Sequence, residues 1–311
     1  MRTSHCLLPF VVLICAQRTL AQSGKRPSCE PADIFSAEPC RPPVFSASIR
    51  KGTLDSRLQL VIPAGGRVEY TVLIVGGGLV GHVAFTTDIW RAMCARFHCA
   101  LAHFDVNTAT PPTSAAEDPG RNASAGSGEA VLALLDTVAK QARRPELAKS
   151  KLAVFGFSAT GSFAVTFASR YPERTLTAVR YHSHLRGLPL DTTTAARVPV
   201  LLVASTDDST AGVDDTRALW LAGRRLGAPW ALAVETGRGH SSLDSWYAVS
   251  DLVWHWIETL GKRAVTPADE GWFGEMATRV ISHSGSGASP LGLSWFPDSI
   301  TADAWRRLHG R

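Results

Sequence analysis

The sequence predicts a doubly wound, mostly parallel α/β sheet with helices on both faces. Apolar runs and amphipathic helical stretches alternate at least four times along the chain, the order that builds parallel strands joined by right-handed crossovers. Some of those runs, Tyr70–Val75 above all, are near-continuously apolar, the kind of strand buried on both faces of a mostly parallel sheet. With 311 residues, 45% of them hydrophobic and 19% charged, the chain can also bury one sizeable core.

The first residues stand outside that core. Arg2 supplies a positive start, residues 7–16 a short apolar run, and Thr19-Leu20-Ala21 small residues for cleavage, with no acid before Glu30. Residues 1–21 therefore read as a signal peptide, which predicts a secreted or periplasmic protein. That run is too short to span a bilayer and no other stretch is longer, so no stable membrane insertion is expected. Residues 22–55 read as an N-terminal extended arm, rich in proline and polar side chains over 24–43.

A catalytic domain is expected over 56–261. Strands are predicted at 56–62, ended by Pro63-Ala64-Gly65-Gly66, and at 70–75, with a helix over 87–97 capped by Thr86 or Thr87. A strand at 100–106 leads into a long polar segment, 107–127, which contains the glycosylation sequon Asn122-Ala123-Ser124. Val131, Leu134, Leu135, Val138 and Ala142 then mark one face of a helix. A strand at 151–155 is followed by a turn and a helix running to Tyr171-Pro172. Further strands fall at 176–181, 198–204 and 230–235, and helices at 215–226 and 245–260, closed by Gly227 and Gly261. The extension 262–311, with Trp272, Trp295 and Trp305, either packs on the sheet edge or forms an appendage.

Of six cysteines, Cys6 and Cys15 fall in the signal peptide, leaving Cys29, Cys40, Cys94 and Cys99. An even number in an exported chain suggests disulfides, with three possible connectivities, of which the local pairs Cys29–Cys40 and Cys94–Cys99 are preferred. No Cys-x-x-Cys or matching histidine spacing suggests a metal site, and none is expected. The formal charge of +5 falls to +3 without Arg2 and Arg18. Basic pairs such as Arg143-Arg144 and Arg224-Arg225 are scattered, without interleaved aromatics, so nucleic acid is not an expected partner.

Ligands of such sheets bind beyond the carboxyl ends of the strands, and four segments after predicted strands carry chemistry. Gly-x-Ser recurs at Gly239, Gly287 and Gly292, but only Gly156-Phe157-Ser158 follows a buried strand and opens a helix. That is the setting of a nucleophile elbow, with Ser158 pushed out above the sheet. Asp207-Asp208 follows the strand at 198–204, where a carboxylate could orient a histidine; Asp208 fits the usual spacing better, and Asp207 remains the alternative. Gly239-His240 lies in a glycine-flanked loop after the strand at 230–235, and completes the chain order Ser, Asp, His. Gly76-Gly77-Gly78 follows the strand at 70–75, and its backbone N–H groups can face a developing oxyanion. Gly77, Gly78 and Ala159 are the candidate oxyanion donors. The run is not in phase with a dinucleotide-binding Gly-x-Gly-x-x-Gly motif.

Residues 73–81, Gly156 to Gly161, Asp208 and Gly239-His240 together resemble the α/β-hydrolase superfamily, closest in tone to secreted polyhydroxybutyrate depolymerases and feruloyl esterases. The resemblance covers about residues 56–260. It implies an eight-stranded sheet, a Ser-His-Asp triad and no cofactor. Two positions depart from the pattern: Val75 stands where many members carry His, and Thr160 where the elbow has a second glycine. The expected activity is cleavage of a small-molecule or polymer-linked carboxylic ester. A peptidase or acyltransferase on the same triad, or a non-catalytic binding protein, are the alternatives. Residues 182–197 are too few for a lid domain. Trp246 and Tyr247 are candidates to line the substrate pocket, with core packing as the alternative, and His182 and His184 are weaker candidates to touch substrate. The oligomeric state is not readable from the sequence.

Overall fold

The computed structural model describes residues 43–64, 67–76, 85, 88–240, 243–262, 270–283 and 292–309, leaving aside the side chains of 243–248. The predicted signal peptide, Cys29, Cys40, Thr86, Thr87, Gly77, Gly78 and the side chains of Trp246 and Tyr247 lie outside the described residues.

Eight strands form the main sheet: β1 (Val44–Lys51), β2 (Leu54–Val61), β3 (Tyr70–Val75), β4 (Ala100–Thr108), β5 (Lys151–Phe157), β6 (Thr175–Tyr181), β7 (Val200–Ser205) and β8 (Trp230–Glu235). Their spatial order is β1-β2-β4-β3-β5-β6-β7-β8. Strand β2 runs antiparallel to both neighbours and every other pairing is parallel. The helices are α1 (Asp88–Arg96), α2 (Ser127–Ala142), α3 (Ala159–Arg170), the short α4 (Thr192–Ala195), α5 (Asp214–Arg225), α6 (Leu243–Lys262) and α7 (Ser299–His309).

The apolar strands are buried on both sides, as their composition requires. In β3, Leu73 and Val75 face a core shared with Val131 and Leu135 of α2, Phe163 of α3 and Trp220 of α5. Val72 and Ile74 face the opposite core, with Trp90 of α1 and Trp254, Trp256 and Ile257 of α6. Between β6 and β7 the described chain holds only the four-residue α4 as regular structure.

Three expectations are corrected. Residues 44–51, read as part of the arm, form β1 and pair along their whole length with β2. Gly261 does not close a helix: it lies inside α6, where a Cβ would sit 2.2 Å from the Tyr70 ring, so the requirement is close packing. Cys94 and Cys99 are free, both buried. The Cys99 N–H donates to the Cys94 carbonyl at 3.0 Å, and the two thiols pack in the α1 core beside Tyr70 without bridging. Burial, with the neighbouring thiol of Cys99, pushes the Cys94 thiol well above its ordinary value. The sequon is also closed off. Asn122 is buried, its Nδ2 donates to the Ala116 carbonyl at 2.7 Å, and its Oδ1 accepts from Ser124 N–H. Segment 109–126 is thus a packed loop, its Ala123 N–H bonded to Thr166 of α3.

The C-terminal residues cover the sheet edge. Strands β9 (Trp272–Gly274), β10 (Ile281–His283) and β11 (Ser294–Phe296) form an antiparallel sheet in the order β10-β9-β11. Ser294 Oγ bonds the N–H and carbonyl of Leu232 in β8 at 2.9 and 3.1 Å, and the Trp305 indole donates to the same carbonyl at 2.8 Å. These bonds occupy backbone groups on an edge strand that would otherwise invite pairing.

Candidate active site

The site forms at the carboxyl ends of β3, β5, β6, β7 and β8. Ser158 follows β5 directly, at φ 56° and ψ −126°, a strained conformation for a side-chain-bearing residue that lifts it out of the strand. Two glycines make room for this turn. A Cβ at Gly156 would fall 2.0 Å from the Thr160 carbonyl oxygen, and one at Gly161 would fall 2.6 Å from Ser183 Cβ. The second glycine is therefore needed three residues after the serine, and position 160 is left free for a side chain. Thr160 uses it: its hydroxyl lies 2.8 Å from the Val75 carbonyl and 2.9 Å from that of Phe157, and accepts the Phe157 N–H at 3.2 Å. The elbow is thereby tied to the end of β3.

Ser158 Oγ lies 2.8 Å from His240 Nε2, and His240 Nδ1 lies 2.9 and 3.0 Å from the two oxygens of Asp208. An ionised carboxylate only accepts, so the ring carries its proton on Nδ1, leaving Nε2 to accept from the serine hydroxyl. The structure brings together these three residues, and the carboxylate is that of Asp208. Asp207 is exposed, and its Oδ1 accepts from the Thr206 hydroxyl. The loops after β7 and β8 are also tied, by Ser205 Oγ to the Arg238 carbonyl and by Gly237 N–H to Thr206 Oγ1. The Phe157 ring packs 5.2 Å from that of His240. Burial opposes ionisation of Asp208, but the Ala211 N–H, the His240 ring and the Thr210 N–H outweigh it and hold the carboxyl below its ordinary value.

Ala159 is the first residue of α3, so its N–H has no acceptor one turn back in the helix. Gly76, the last described residue before the other candidate donors, is held from two sides. Its carbonyl accepts from His103 Nε2 of β4 at 2.8 Å, and its N–H donates to the Phe104 carbonyl at 2.9 Å. The anchoring histidine of this loop thus comes from the neighbouring strand, not from position 75.

His182, one residue past β6, is wholly buried and faces Asp208 and Glu235, so it does not line an open pocket. His184 is half-buried at the rim, 3.5 Å from Arg121 of the 109–126 loop. Burial, with Arg121, Arg186 and Arg180 nearby, lowers the His184 pKa. Among the described residues, His182, Asp208 and His240 are the group whose ligand atoms lie close enough for a metal, within 4.8 Å of one another. An ion there would have to displace the Asp208–His240 hydrogen bonds.

The sequence did not single out His182 and Glu235 as partners, nor Thr160 and His103 as anchors. An acid ending an otherwise apolar strand, Trp-Ala-Leu-Ala-Val-Glu, was the one available sign for Glu235.

A family model described as "Dienelactone hydrolase family" matches residues 79–244. A search of the curated proteins finds no match to the chain. Among solved structures, an esterase of Pyrobaculum calidifontis is 16% identical with a TM-score of 0.50, over 72% of this chain and 86% of that one. Dipeptidyl peptidase 4 of Porphyromonas gingivalis is 13% identical with a TM-score of 0.51, over 70% of this chain and 35% of that one. A dipeptidyl aminopeptidase IV from Bacteroides ovatus is 14% identical with a TM-score of 0.47, over 65% of this chain and 33% of that one. The chain thus spans about a third of the length of these two peptidases. At such identities the likeness is one of fold. The family match begins just past Gly78 and covers Ser158, Asp208 and His240 as far as the start of α6, and by it the chain belongs to the dienelactone hydrolase family of the α/β-hydrolase superfamily and is a hydrolase.

Proposed function

We propose that this hydrolase cleaves carboxylic esters through an acyl-enzyme, with Ser158 as nucleophile, His240 as general base and Asp208 as the orienting acid. The continuous contact from Ser158 Oγ to His240 at 2.8 Å and from His240 to Asp208 at 2.9 Å is the observation that carries this reading. His240 Nε2 takes the hydroxyl proton as Oγ attacks the carbonyl carbon, and the Nδ1 proton stays on the ring, bonded to Asp208. Collapse of the tetrahedral intermediate sends the His240 proton to the leaving alcohol. Water, deprotonated by the same nitrogen, then releases the acid and regenerates Ser158. Ala159 N–H, with donors from Gly77 and Gly78, would carry the oxyanion.

The short β6–β7 connection favours an open site that also admits an ester attached to a polymer. That suits export, which the N-terminal residues suggest. The test is hydrolysis of aryl acetate and butyrate by the mature chain. Turnover should rise smoothly with concentration and be lost in Ser158→Ala by a factor on the order of 10⁴ or more. Esterase activity surviving in Ser158→Ala would refute the reading, and turnover of amides but not esters would replace it with a peptidase.

A further inference from the structure

Beside Asp208 and beneath the proposed triad, in the buried ends of β6 and β8, lies a second histidine–carboxylate pair. His182 Nε2 is 2.9 Å from Glu235 Oε2, and His182 Nδ1 is 3.5 Å from Asp208 Oδ2. His182 is 0%, Glu235 2% and Asp208 3% exposed. The sheet order creates this juxtaposition: β6, β7 and β8 are neighbours, and the three residues lie at or just past their carboxyl ends. His182 holds its place at a backbone cost, with φ 45°, a conformation that persists in a side-chain-bearing residue only where the surroundings impose it. Its N–H is fixed to the Val203 carbonyl at 2.9 Å.

The protonation state follows from what each nitrogen faces. An ionised Glu235 only accepts, so it requires a proton on Nε2. Neutral His182 would then turn the Nδ1 lone pair toward the Asp208 carboxylate, 3.5 Å away, and the two would repel. A proton on Nδ1 replaces that repulsion by attraction. Among the described residues, the ionisable groups facing the ring are Asp208 from the β7 loop, Glu235 of β8 and, 6.4 Å away between ring centroids, His240. Tyr181 lies beside it at 4.2 Å on its own strand, and β5 contributes only the apolar Phe157 ring. An apolar pair would hold these strand ends together as well as a buried ion pair does, so a requirement for stability alone does not explain the arrangement.

We propose that His182 is a positioning residue of the reaction, held as an imidazolium between Asp208 and Glu235. It approaches the same oxygen of Asp208, Oδ2, that His240 Nδ1 contacts, and balances part of the carboxylate's charge. Asp208 then orients His240 without stabilising its protonated form so strongly that the resting base is lost. Glu235 keeps the second proton on His182. The contacts run Ser158, His240, Asp208, His182, Glu235; the link from Asp208 to His182 is a 3.5 Å approach between charges and carries no proton, and the last two members never touch substrate. This rests on the triad reading given above.

The test combines pH profiles with a direct view of the ring. In His182→Gln the cation is gone and two buried carboxylates remain, so His240 protonates more readily. The acid limb of kcat/KM should move up by about one pH unit, the scale of a nearby charge change. At neutral pH kcat should fall about tenfold, with KM within about twofold, since no substrate contact is lost. Glu235→Gln, which keeps the shape, should shift the limb in the same direction by less. Nitrogen-15 NMR of histidine-labelled wild type should show both His182 ring nitrogens protonated at pH 7, and Glu235→Gln should lose one of those protons. If His182→Gln does not fold, the Glu235→Gln profile and the NMR spectrum carry the test. An unmoved acid limb in a folded variant, or a singly protonated His182 in wild type, would overturn the proposal. The ring spectrum stands without any assay, whereas activity retained in Ser158→Ala would sink the triad instead.

Discussion

Thr160→Val asks how much of the elbow's geometry rests on one hydroxyl. Valine has threonine's shape, so the space between the elbow and Gly76, where a Gly76 Cβ would fall 2.7 Å from Thr160 Cγ2, stays filled. What disappears is a group that donates to the Val75 or Phe157 carbonyl and accepts the Phe157 N–H. Two backbone groups lose a partner; each costs about 1–3 kcal/mol when left buried and less where water reaches it. Phe157 is half-buried and Val75 buried, so a net loss of about 2 kcal/mol is expected. For a chain of this size that corresponds to a fall in Tm of about 3 °C. The functional effect is separable. If the hydroxyl keeps β3 and the glycine run in register with the elbow, kcat for an aryl ester should fall by up to the value of one oxyanion donor, about 10²–10³, with KM little changed. Thr160→Ser should restore both Tm and kcat. Calorimetry and initial rates on the three proteins give the answer. A Thr160→Val protein with wild-type Tm would refute the hydrogen-bond reasoning. A destabilised one with kcat within about threefold of wild type would confine the hydroxyl to stability.

Asp208→Asn should cut turnover by about 10⁴ by disturbing the His240 tautomer, while Asp207→Asn, at an exposed carboxylate, should cost little; rates for the two variants decide between them. The same substitution carries a pH signature. The folded Asp208 carboxyl lies below its ordinary 3.8, so its ionised form stabilises the fold above that pH and the contribution is lost as pH falls further, a step that acid titrations of Asp208→Asn should lack. Cys94 and Cys99 should not react with a thiol reagent in native protein and should both react in denaturant, as read by mass spectrometry; a Cys94–Cys99 cross-link in native protein would contradict the buried thiols.

What was legible in the sequence follows a physical division. Strands β3 and β8 are bounded as the sequence predicts because each is a mostly apolar run, broken only by Thr71 and by the terminal Glu235, and is followed by turn residues. β1 was not, because Val44–Lys51 is an edge strand with one buried residue, Ala47, and its mixed composition resembles an arm. Gly261 carried a cap's residue type, but its cause is the Tyr70 ring, almost two hundred positions away in sequence. The Cys94–Cys99 pairing is overturned for a related reason. Spacing in an exported chain suggests bridges, yet only the fold reveals that Cys94 and Cys99 fill a core. That Ser158, Asp208 and His240 meet could be anticipated because each follows a strand in a distinctive local context, and their order adds a second constraint. His182 with Glu235 could not be, since nothing in the local sequence records that β6 and β8 flank β7.

The central claim is that Ser158 is the nucleophile activated by His240. It is tested most directly by treating the mature protein with a fluorophosphonate and mapping the modified residue by mass spectrometry. The account predicts a single adduct on Ser158, formed rapidly in wild type, about 10³-fold or more slower in His240→Ala and absent in Ser158→Ala. An adduct on another residue, or labelling of Ser158 at an unchanged rate without His240, would contradict it.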